Sequence, residues 1–470
     1  MPPNILLLCT DQQRYDVLGA YGNTHIQTPA IDGLAAAGVR FDRCYSPSTV
    51  CAPARASLLT GLYPHAHGLW ANGVTVRDRQ PLIGRQLADA GYDCGLAGKL
   101  HIGACFGGRD EKRHDDGYRF FSWAHDPSHG SPNNAYHQWL AAVHPRLWAA
   151  ADGAGDNMPT EAHYSHWVAE EAIRFLRADR PADQPFYFVA NFYDPHHPFV
   201  APPEYVERFR GKVPPPIRPS RPADDKPPIQ AETSKESYAG HAPGFLSYTS
   251  EEIQEIIANY YAMVALIDDE VSRILGELDR LGLAEDTLVV FTSDHGEMLG
   301  DHGQLLKGPL FYEGAVRVPM ILRWPGRLPV GSVRPELVEL HDLYATFLAA
   351  AGLPAPAHNN SVDLLPVARG ESAGRGWALS EYRDSGHPLS PPVHATMLRT
   401  AQYKLVVHHG APSTSRDRTG ELYDLDRDPA ENQNLWNDPD AAAIRQQLTE
   451  QLLDILVGTE DRSAPREAFW

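Results

Sequence analysis

The feature that most limits the fold of this chain is a series of short apolar runs, each followed at once by polar residues. The runs lie at residues 4–9, 92–97, 186–192 and 288–292. Helical patterns alternate with them, at residues 31–37, 82–90, 161–177 and 250–281, the last with Ser250 as its expected N-cap. Such alternation is typical of layered domains whose strands are buried on both faces. We therefore expect an α/β fold with a large, mixed but mostly parallel central sheet sandwiched by helices.

The pattern changes after Pro366. Short strand patterns then follow one another closely, at residues 377–382, 396–400, 404–408 and 421–425, and a helix pattern covers 441–456. Strands at such close spacing favour antiparallel pairing. We therefore expect a main domain over residues 1–365 and a small C-terminal α+β subdomain with an antiparallel sheet over 366–470.

Two stretches show no clear period. Residues 103–160 are rich in Gly, His, Asp and Asn and predict a long loop region over a site, because long structureless segments are often functional. Residues 211–248 are rich in Pro, Ser and charge and predict an irregular excursion. Within the first stretch, the candidates for lining a substrate pocket are Arg113, Asn134, His137 and Trp139.

The charge balance excludes one class of partner. Lys and Arg total 41 against 60 Asp and Glu, which gives a net charge of −19. Binding of nucleic acid needs clustered cations, so we expect no nucleic-acid partner. The first apolar run is too short for a signal peptide, and no stretch approaches the roughly 20 apolar residues of a membrane span. We therefore expect a soluble, cytoplasmic protein without a membrane partner.

The cysteines favour free thiols over a disulfide framework. They number five, an odd count, and no Cys-x-x-Cys pair occurs among Cys9, Cys44, Cys51, Cys94 and Cys105. Cys51 taken alone is most simply a core thiol. It opens a pattern Cys-x-Pro-x-Arg with Pro53 and Arg55, where a helix can begin. A helix N-terminus favours bound anions, so this segment is a candidate anion site.

Polar clusters follow the predicted strands: Asp11-Gln12, Lys99 with His101, His196, and Asp294-His295. The carboxyl ends of parallel strands share one edge of a sheet, so these clusters can converge. Two carboxylates, an amide oxygen and an imidazole suit a divalent cation such as Ca²⁺, Mg²⁺ or Mn²⁺. Each residue taken singly is as easily a helix cap or a turn former.

Taken together, these segments resemble the formylglycine-dependent (type I) sulfatase family of the alkaline phosphatase-like superfamily. The resemblance is carried, in order along nearly the whole chain, by Thr10-Asp11-Gln12-Gln13-Arg14, Cys51 to Gly61, Gly98-Lys99-Leu100-His101, Asp194-Pro195-His196, Ser293-Asp294-His295-Gly296-Glu297, Lys307-Gly308, Glu421 to Leu425, and Asp428-Pro429-Ala430-Glu431. It makes residues 1–365 the catalytic domain.

The resemblance implies that a formylglycine-generating maturation enzyme oxidises Cys51 to Cα-formylglycine. One hydroxyl of the hydrated aldehyde then attacks the sulfur of a sulfate monoester, and the second hydroxyl lets the aldehyde re-form. The products are an alcohol and sulfate. The resemblance also implies one divalent metal, Ca²⁺ above Mn²⁺ or Mg²⁺, with the ligands Asp11, Gln12, Asp294, His295 and the modified Cys51.

The remaining roles follow from the same motifs. Arg55 is expected to orient the formylglycine and to lower its hydroxyl pKa. Lys99 and Lys307 are expected to bind sulfate oxygens, and only seven lysines occur in the chain. His101 is expected to accept the proton that regenerates the aldehyde, and His196 to protonate the leaving alcohol.

The metal-site residues depart from the commonest sulfatase pattern of paired aspartates and an asparagine. Asp-Gln with Asp-His looks closer to the branch of choline sulfatases and phosphonate monoester hydrolases, in which an Asn after the helix also faces the site. Asn72 matches that position as a substrate-binding candidate. The nitrogen ligand makes Mn²⁺ more credible, whereas Lys99 and His101 follow the sulfatase form of their loop. For His65 and His67, next to the helix, a structural role is favoured.

Three functions are compatible with these residues. The first is a sulfatase acting on a small sulfate ester. The second is a phosphonate monoester or phosphodiester hydrolase on the same scaffold. The third is a silent anion-binding protein whose Cys51 stays a thiol, although binding alone does not need His101 and His196. A homo-oligomer is possible, with the tail at residues 464–470 as a candidate contact.

Overall fold

We analysed a computed structural model of the chain. It describes residues 2–77, 81–151, 158–177, 180–181, 183–217, 224–385, 392–409 and 419–461. The C-terminal tail singled out as a contact with a second copy lies outside these residues. None of the helices in the described ranges combines the length and the apolarity that crossing a bilayer demands.

Apart from β6, which makes only isolated bridges, the strands of the described residues form two sheets. Their bounds are β1 Asn4–Thr10, β2 Val39–Tyr45, β3 Asp93–Gly98, β4 Phe120–Trp123, β5 Phe186–Asn191, β6 Ala242–Pro243, β7 Thr287–Ser293, β8 Arg317–Val318, β9 Met320–Arg323, β10 Ser332–Glu339, β11 Ala378–Arg383, β12 His394–Arg399, β13 Tyr403–His408 and β14 Thr419–Asp424. The nine-stranded sheet runs β10-β2-β9-β7-β1-β5-β3-β4, with β8 beside β2, and the four-stranded sheet runs β11-β12-β13-β14.

Most neighbours in the large sheet are parallel. β1 pairs in parallel with β5 and β7, and β3 pairs in parallel with β4 and β5. β9 runs antiparallel to both β7 and β2. The small sheet is antiparallel throughout. The expected α/β class, with a mixed, mostly parallel central sheet and a C-terminal antiparallel sheet, is confirmed.

Helices cover both faces of the large sheet. They are α1 Pro29–Ala36, α2 Cys51–Thr60, α3 Pro64–His67, α4 Ile83–Asp89, α5 Ala135–Val143, α6 Pro145–Ala150, α7 Tyr164–Arg177, α8 Pro203–Phe209, α9 Pro228–Thr233, α10 Ser237–Gly240, α11 Ser250–Arg280, α12 Glu313–Val316, α13 Asp342–Ala350, α14 Leu364–Arg369 and α15 Ala442–Gly458.

Strand β1 shows how the sequence builds the two layers. Leu6 and Leu8 pack into one apolar cluster with α7 and α11, and Ile5 and Leu7 pack into a second with α2, α4 and α13. All four side chains are fully buried. Burial of each such side chain contributes about 1.5–3 kcal/mol, so a strand that is apolar on both faces belongs in the middle of the sandwich.

Three sequence predictions about local structure need correction. Residues 103–160 are not one long loop, because β4, α5 and α6 lie within them; α5 buries Tyr136 and Leu140, an apolar stripe too short to stand out. The excursion at 211–248 likewise contains the short helices α9 and α10. The N-cap of α11 is Thr249, not Ser250, since Thr249 and Glu252 form a capping box. The five cysteines are all free and buried, as expected.

The small sheet is tied to the large domain through a buried lysine. The Lys404 ammonium, on β13, lies 2.8 Å from Glu313 Oε1, 2.6 Å from Glu431 Oε1 and 2.8 Å from the carbonyl oxygen of Phe311. The predicted boundary at residue 365 falls inside α14, which packs beneath the large sheet. The division of the chain into residues 1–365 and 366–470 stays a prediction.

We predict that Lys404→Met lowers the free energy of unfolding by about 3–5 kcal/mol, because it leaves the buried Glu431 carboxylate without its cation and leaves Glu313 with Arg317 alone. Lys235→Met is the matched control, since Lys235 is exposed and pairs only with Glu232 on the surface. Thermal or urea unfolding of both variants measures the effect. Equal stability of Lys404→Met and the parent would show that the pairing does not hold the two sheets together.

Candidate active site

The polar clusters predicted at the strand ends do converge. Asp11 follows β1, Lys99 follows β3 and Asp294 follows β7, and the register aligns Thr10 with Ser293 across β1 and β7. Asp11 and Asp294 are fully buried and Lys99 is 2% exposed. The turn after β3 requires glycine: Gly98 has φ +99°, and a Cβ there would lie 1.9 Å from the Asn191 carbonyl oxygen.

Cys51 is the first residue of α2, and its side chain points into this convergence. Its Sγ lies 2.9 Å from Lys307 Nζ, 3.1 Å from His295 Nε2 and 3.5 Å from Asp11 Oδ1. Cys51 is 1% exposed. Residue 51 therefore meets an ammonium, an imidazole and a carboxylate at once, which is not the environment of a core thiol.

Arg55, one turn further along α2, ties the two carboxylates together. Its Nε donates to Asp294 Oδ2 at 2.9 Å, its Nη2 to Asp11 Oδ2 at 3.3 Å, and its Nη1 to the Lys99 carbonyl oxygen at 3.1 Å. Its observed partners are thus the carboxylates that surround residue 51. The expected direct action of Arg55 on a formylglycine stays a prediction.

The cations set the protonation of the site. Burial raises the pKa of Asp11, but Lys99, His196 and Arg55 outweigh it and hold that pKa well below its usual range. Lys99 Nζ lies 2.7 Å from Asp11 Oδ2. Burial and Asp11 raise the pKa of Cys51, yet Lys307, Lys99 and His295 lower it overall. The site therefore stabilises an anion at residue 51.

The expected metal ligands form one compact group. Ligand atoms of Asp11, Cys51, Asp294 and His295 all lie within 4.8 Å of one another. Gln12 joins them: it has φ +69°, its backbone N–H donates to Asp294 Oδ1 at 3.0 Å, and its Nε2 donates to Glu297. Its Oε1 is buried and has no hydrogen-bond partner among the described residues. This set of carboxylates, amide oxygen and imidazole fits a divalent cation.

His101 and His196 flank the group. His101 has φ +56°, and its Nδ1 is buried without a hydrogen-bond partner among the described residues. His196 Nδ1 lies 2.5 Å from the His197 carbonyl oxygen, and its Nε2 lies 2.8 Å from Lys307 Nζ. Burial, reinforced by Lys99 for His101 and by Lys307 for His196, puts the pKa of each imidazole well below its usual range.

Asn72 lies beside residue 51, but its contacts are structural. Its Oδ1 accepts from the Ala52 backbone N–H at 3.0 Å, and its Nδ2 donates to the Tyr238 hydroxyl at 2.7 Å. It therefore steadies the first turn of α2. The substrate contact predicted for Asn72 stays a prediction.

Sequence reasoning missed Tyr238 and gave no role to Glu297. The Tyr238 ring lies 5.5 Å from Lys307 Nζ, over the site, although it belongs to the excursion that carries no periodic signal. Glu297 is fully buried and accepts the Leu299 N–H at 2.9 Å and the Gln12 amide, which fixes the loop that bears Asp294 and Lys307. The position of Glu297 at the end of the Ser293–Glu297 motif was the one sequence feature that could have pointed to its role.

The remaining candidates from the sequence make structural contacts. His67 Nε2 is 3.0 Å from Ser57 Oγ, and His65 Nδ1 is 2.5 Å from Glu381 Oε1. Asn134 is the N-cap of α5, and His137 Nε2 lies 2.7 Å from the Pro127 carbonyl oxygen. Trp139 packs against Tyr136.

The observed contacts of Arg113 do not include the site, and its lining of the substrate pocket stays a prediction. It pairs with Asp116 and lies in a surface cleft of about 530 Å³ around Asp93, at the start of β3. The site lies at the other end of that strand, beyond Gly98. Where a loop has no periodic pattern, its sequence does not indicate which edge of the sheet its residues approach.

We predict that Gln12→Leu weakens binding of Ca²⁺ or Mn²⁺ by about tenfold or more, because it removes the one ligand oxygen that no protein donor occupies. Gln13→Leu is the control, since Gln13 is equally buried and belongs to the same segment. Isothermal titration calorimetry measures both affinities, and unfolding curves check that both variants fold. Unchanged affinity in Gln12→Leu would remove Gln12 from the ligand set.

Comparison with known proteins places these motifs in a family. The family model described as Sulfatase matches residues 3–353, and one described as N-sulphoglucosamine sulphohydrolase, C-terminal, matches residues 300–457. The chain is 28% identical to the uncharacterized sulfatase YidJ of Escherichia coli (strain K12), over 97% of this chain and 87% of that protein. It is 28% identical to an arylsulfatase of Clostridium perfringens, over 98% and 96%.

A solved structure shows the same architecture. The phosphonate monoester hydrolase of Agrobacterium radiobacter superposes with a TM-score of 0.82 at 28% identity, over 97% of this chain and 96% of that one. The Sulfatase model covers well over half of the chain and includes the candidate site residues. The chain therefore belongs to the sulfatase family of sulfuric ester hydrolases.

Proposed function

We propose that the chain hydrolyses sulfate monoesters to an alcohol and sulfate, with formylglycine at position 51 and one divalent metal beside it. The observation that carries the proposal is the surroundings of Cys51 Sγ, which include Lys307 Nζ at 2.9 Å, His295 Nε2 at 3.1 Å and Asp11 Oδ1 at 3.5 Å. Three kinds of polar group converge on one small side chain. Binding alone does not require that arrangement, whereas a nucleophile does.

The conversion of Cys51 needs a partner protein. Cys51 is 1% exposed at the start of α2, so a formylglycine-generating enzyme has to reach the Cys-x-Pro-x-Arg segment before the fold closes over it. Neither Cys9 nor Cys94 has such surroundings: Cys9 Sγ contacts the Thr10 carbonyl oxygen, and Cys94 Sγ contacts that of Gly84.

The metal would be held by Asp11, Gln12, Asp294, His295 and residue 51. Ca²⁺ is favoured because oxygen ligands predominate, with Mn²⁺ and Mg²⁺ as alternatives for a set that includes an imidazole. When bound, it would polarise a sulfate oxygen and favour the ionised form of the nucleophilic hydroxyl.

The chain's own cations hold the sulfate group. Lys307 Nζ already lies at residue 51, and Lys99 Nζ lies against Asp11. The N-terminus of α2 adds its backbone N–H groups to the same point. Positive groups fixed in a buried site stabilise charge that develops on the sulfate oxygens without having to reorient.

Two histidines move protons. His101 Nδ1 is buried without a hydrogen-bond partner among the described residues, and burial and Lys99 lower the pKa of the ring, so a neutral His101 imidazole can accept a proton from a hydroxyl of residue 51. His196 Nε2 lies 2.8 Å from Lys307 Nζ, so the pair holds a proton close to where the alcohol departs. In this proposal His196 takes the proton from Lys307 and passes it to the leaving oxygen.

A second candidate function uses the same residues. The structural likeness to a phosphonate monoester hydrolase, at a TM-score of 0.82, and the Asp-Gln with Asp-His metal set favour a phosphonate monoester or a phosphodiester. Lys99 and His101 favour the sulfate ester, because they follow the sulfatase form of that loop. The natural substrate is proposed only as a small sulfate ester.

We predict that the protein made together with a maturation enzyme hydrolyses an aryl sulfate faster, by kcat/KM, than the matching aryl phosphonate monoester. Cys51→Ala is expected to abolish both activities, and Cys94→Ala, a buried cysteine away from the site, to retain them. A ratio that strongly favours the phosphonate would replace the sulfatase assignment with the second candidate. Full turnover by Cys51→Ala would remove residue 51 from the mechanism.

We predict that His196→Asn lowers kcat by about 10²–10⁴-fold on an alkyl sulfate and far less on a nitrophenyl sulfate. An alkoxide must be protonated as it leaves, whereas a nitrophenolate departs unaided. The measurement is the slope of log kcat against the pKa of the leaving alcohol, which should steepen in the variant. An equal loss on all esters would mean that His196 only positions Lys307.

A further inference from the structure

A second group of metal-binding side chains lies at the edge of the site. His101, Cys105 and His125, here called the rim cluster, each offer a ligand atom, and these atoms lie within 4.8 Å of one another. His101 is 6% exposed, Cys105 is 4% exposed, and His125 is partly buried. The cluster shares His101 with the site described above, whereas Cys105 and His125 have no part in the proposed reaction.

The three side chains of the rim cluster contact one another, but their contacts leave one buried nitrogen without a hydrogen-bond partner among the described residues. Cys105 Sγ lies 3.2 Å from His125 Nδ1. The rings of His101 and His125 meet edge to face, with their centroids 4.6 Å apart. His101 Nδ1 is buried and unpartnered among the described residues. A hydrogen bond between Cys105 and His125 accounts for their own contact but leaves the His101 nitrogen unsatisfied, which is costly in a buried position.

Neighbouring groups hold the rim cluster in place. The Glu111 carboxylate accepts the backbone N–H groups of His101 and Gly103, each at 2.9 Å. His129 Nε2 lies 2.5 Å from the Cys105 carbonyl oxygen. Asp126 Oδ2 lies 3.8 Å from His125 Nε2. These contacts fix the backbone at His101 and Cys105 and put a carboxylate near the His125 imidazole.

We propose that the rim cluster binds a thiophilic divalent cation, with Zn²⁺ as the type, and that this ion inhibits the enzyme by occupying His101. A thiolate and two imidazoles, with water as the fourth ligand, are a set that zinc favours in tetrahedral sites. The Cys105 thiol loses its proton to solvent as the Sγ–metal bond forms. The inhibition rests on the proposed function, because it removes the lone pair that accepts a proton; the binding does not.

The two sites differ in the ions that they favour. The group around Asp11 and Asp294 offers mainly oxygen atoms, which suit Ca²⁺. The rim cluster offers one sulfur and two nitrogens, which suit Zn²⁺, Co²⁺ or Cu²⁺. Excess Ca²⁺ can therefore fill the first site while a softer ion is titrated into the second.

Binding is tested with Co²⁺ as a spectroscopic probe. The protein is Cys51→Ala, which cannot be matured and lacks the other thiol near the site, and Ca²⁺ is present in excess. We expect one equivalent of Co²⁺ to give the near-ultraviolet absorption of a thiolate–cobalt bond, and Zn²⁺ to displace it. Adding Cys105→Ser should abolish the band, and adding Cys94→Ser should not. Absence of the band, or its persistence in the Cys105→Ser protein, would overturn the site.

A second variant guards against misfolding of Cys105→Ser. His125→Asn keeps the thiol and should weaken Co²⁺ binding by about tenfold or more. Unfolding curves establish that both proteins are folded. Undiminished Co²⁺ affinity in a folded His125→Asn protein would exclude His125 and, with it, the three-ligand site.

Inhibition is tested separately on the matured enzyme with an aryl sulfate. Zn²⁺ should inhibit reversibly, a chelator followed by Ca²⁺ should restore the rate, and Cys105→Ser should raise the half-inhibitory Zn²⁺ concentration by about tenfold or more. If Co²⁺ binds but Zn²⁺ leaves the rate unchanged, the inhibitory role is wrong. If the matured protein has no sulfatase activity while the cobalt band appears, the proposed function fails and the binding site remains.

Discussion

The structure depends on the pairing of buried charges at the carboxyl edge of the large sheet. Asp11 and Asp294 are fully buried, and each meets the Arg55 guanidinium, while Lys99 contacts Asp11 on its other side. A buried carboxylate without a cation is strongly destabilising. Removing any one of these charged side chains would therefore leave its partner unpaired and destabilise the fold. With these pairs balanced, the Lys307 ammonium faces residue 51 and supplies the positive charge that an anionic ester requires.

The parallel sheet brings these charged side chains together from segments that are far apart in the sequence. Asp11 and Asp294 are separated by most of the catalytic region, yet β1 and β7 are neighbours in register. Helix α2 enters the same edge with Cys51 at its first residue. The motifs can therefore lie far apart in the sequence and still act on one ester. Because these segments meet at one sheet edge, His101 belongs both to the proposed reaction and to the rim cluster. An ion bound in the rim cluster would therefore inhibit hydrolysis.

Much of this arrangement could be predicted from the sequence, and the failures have physical causes. Short continuous apolar runs located the central strands, since burial on both faces leaves no polar alternation along the strand. The convergence of Asp11, Lys99 and Asp294 followed from strand polarity alone. Lys307 was found only through resemblance to a family, because no local period places it. Tyr238 and the contacts of Arg113 escaped because irregular segments are positioned by tertiary contacts rather than by periodicity.

Sulfate monoesters and phosphonate monoesters are both monoanions. The positive charge of the site therefore attracts both and does not discriminate between them. The identity of the nucleophile can be established by mass spectrometry of the tryptic peptide Cys44–Arg55. The protein is made with a formylglycine-generating enzyme, and the peptide is treated with a reagent that traps carbonyls. We expect a trapped aldehyde at position 51. An unmodified thiol there, under conditions that convert a control peptide with the same motif, would contradict this expectation.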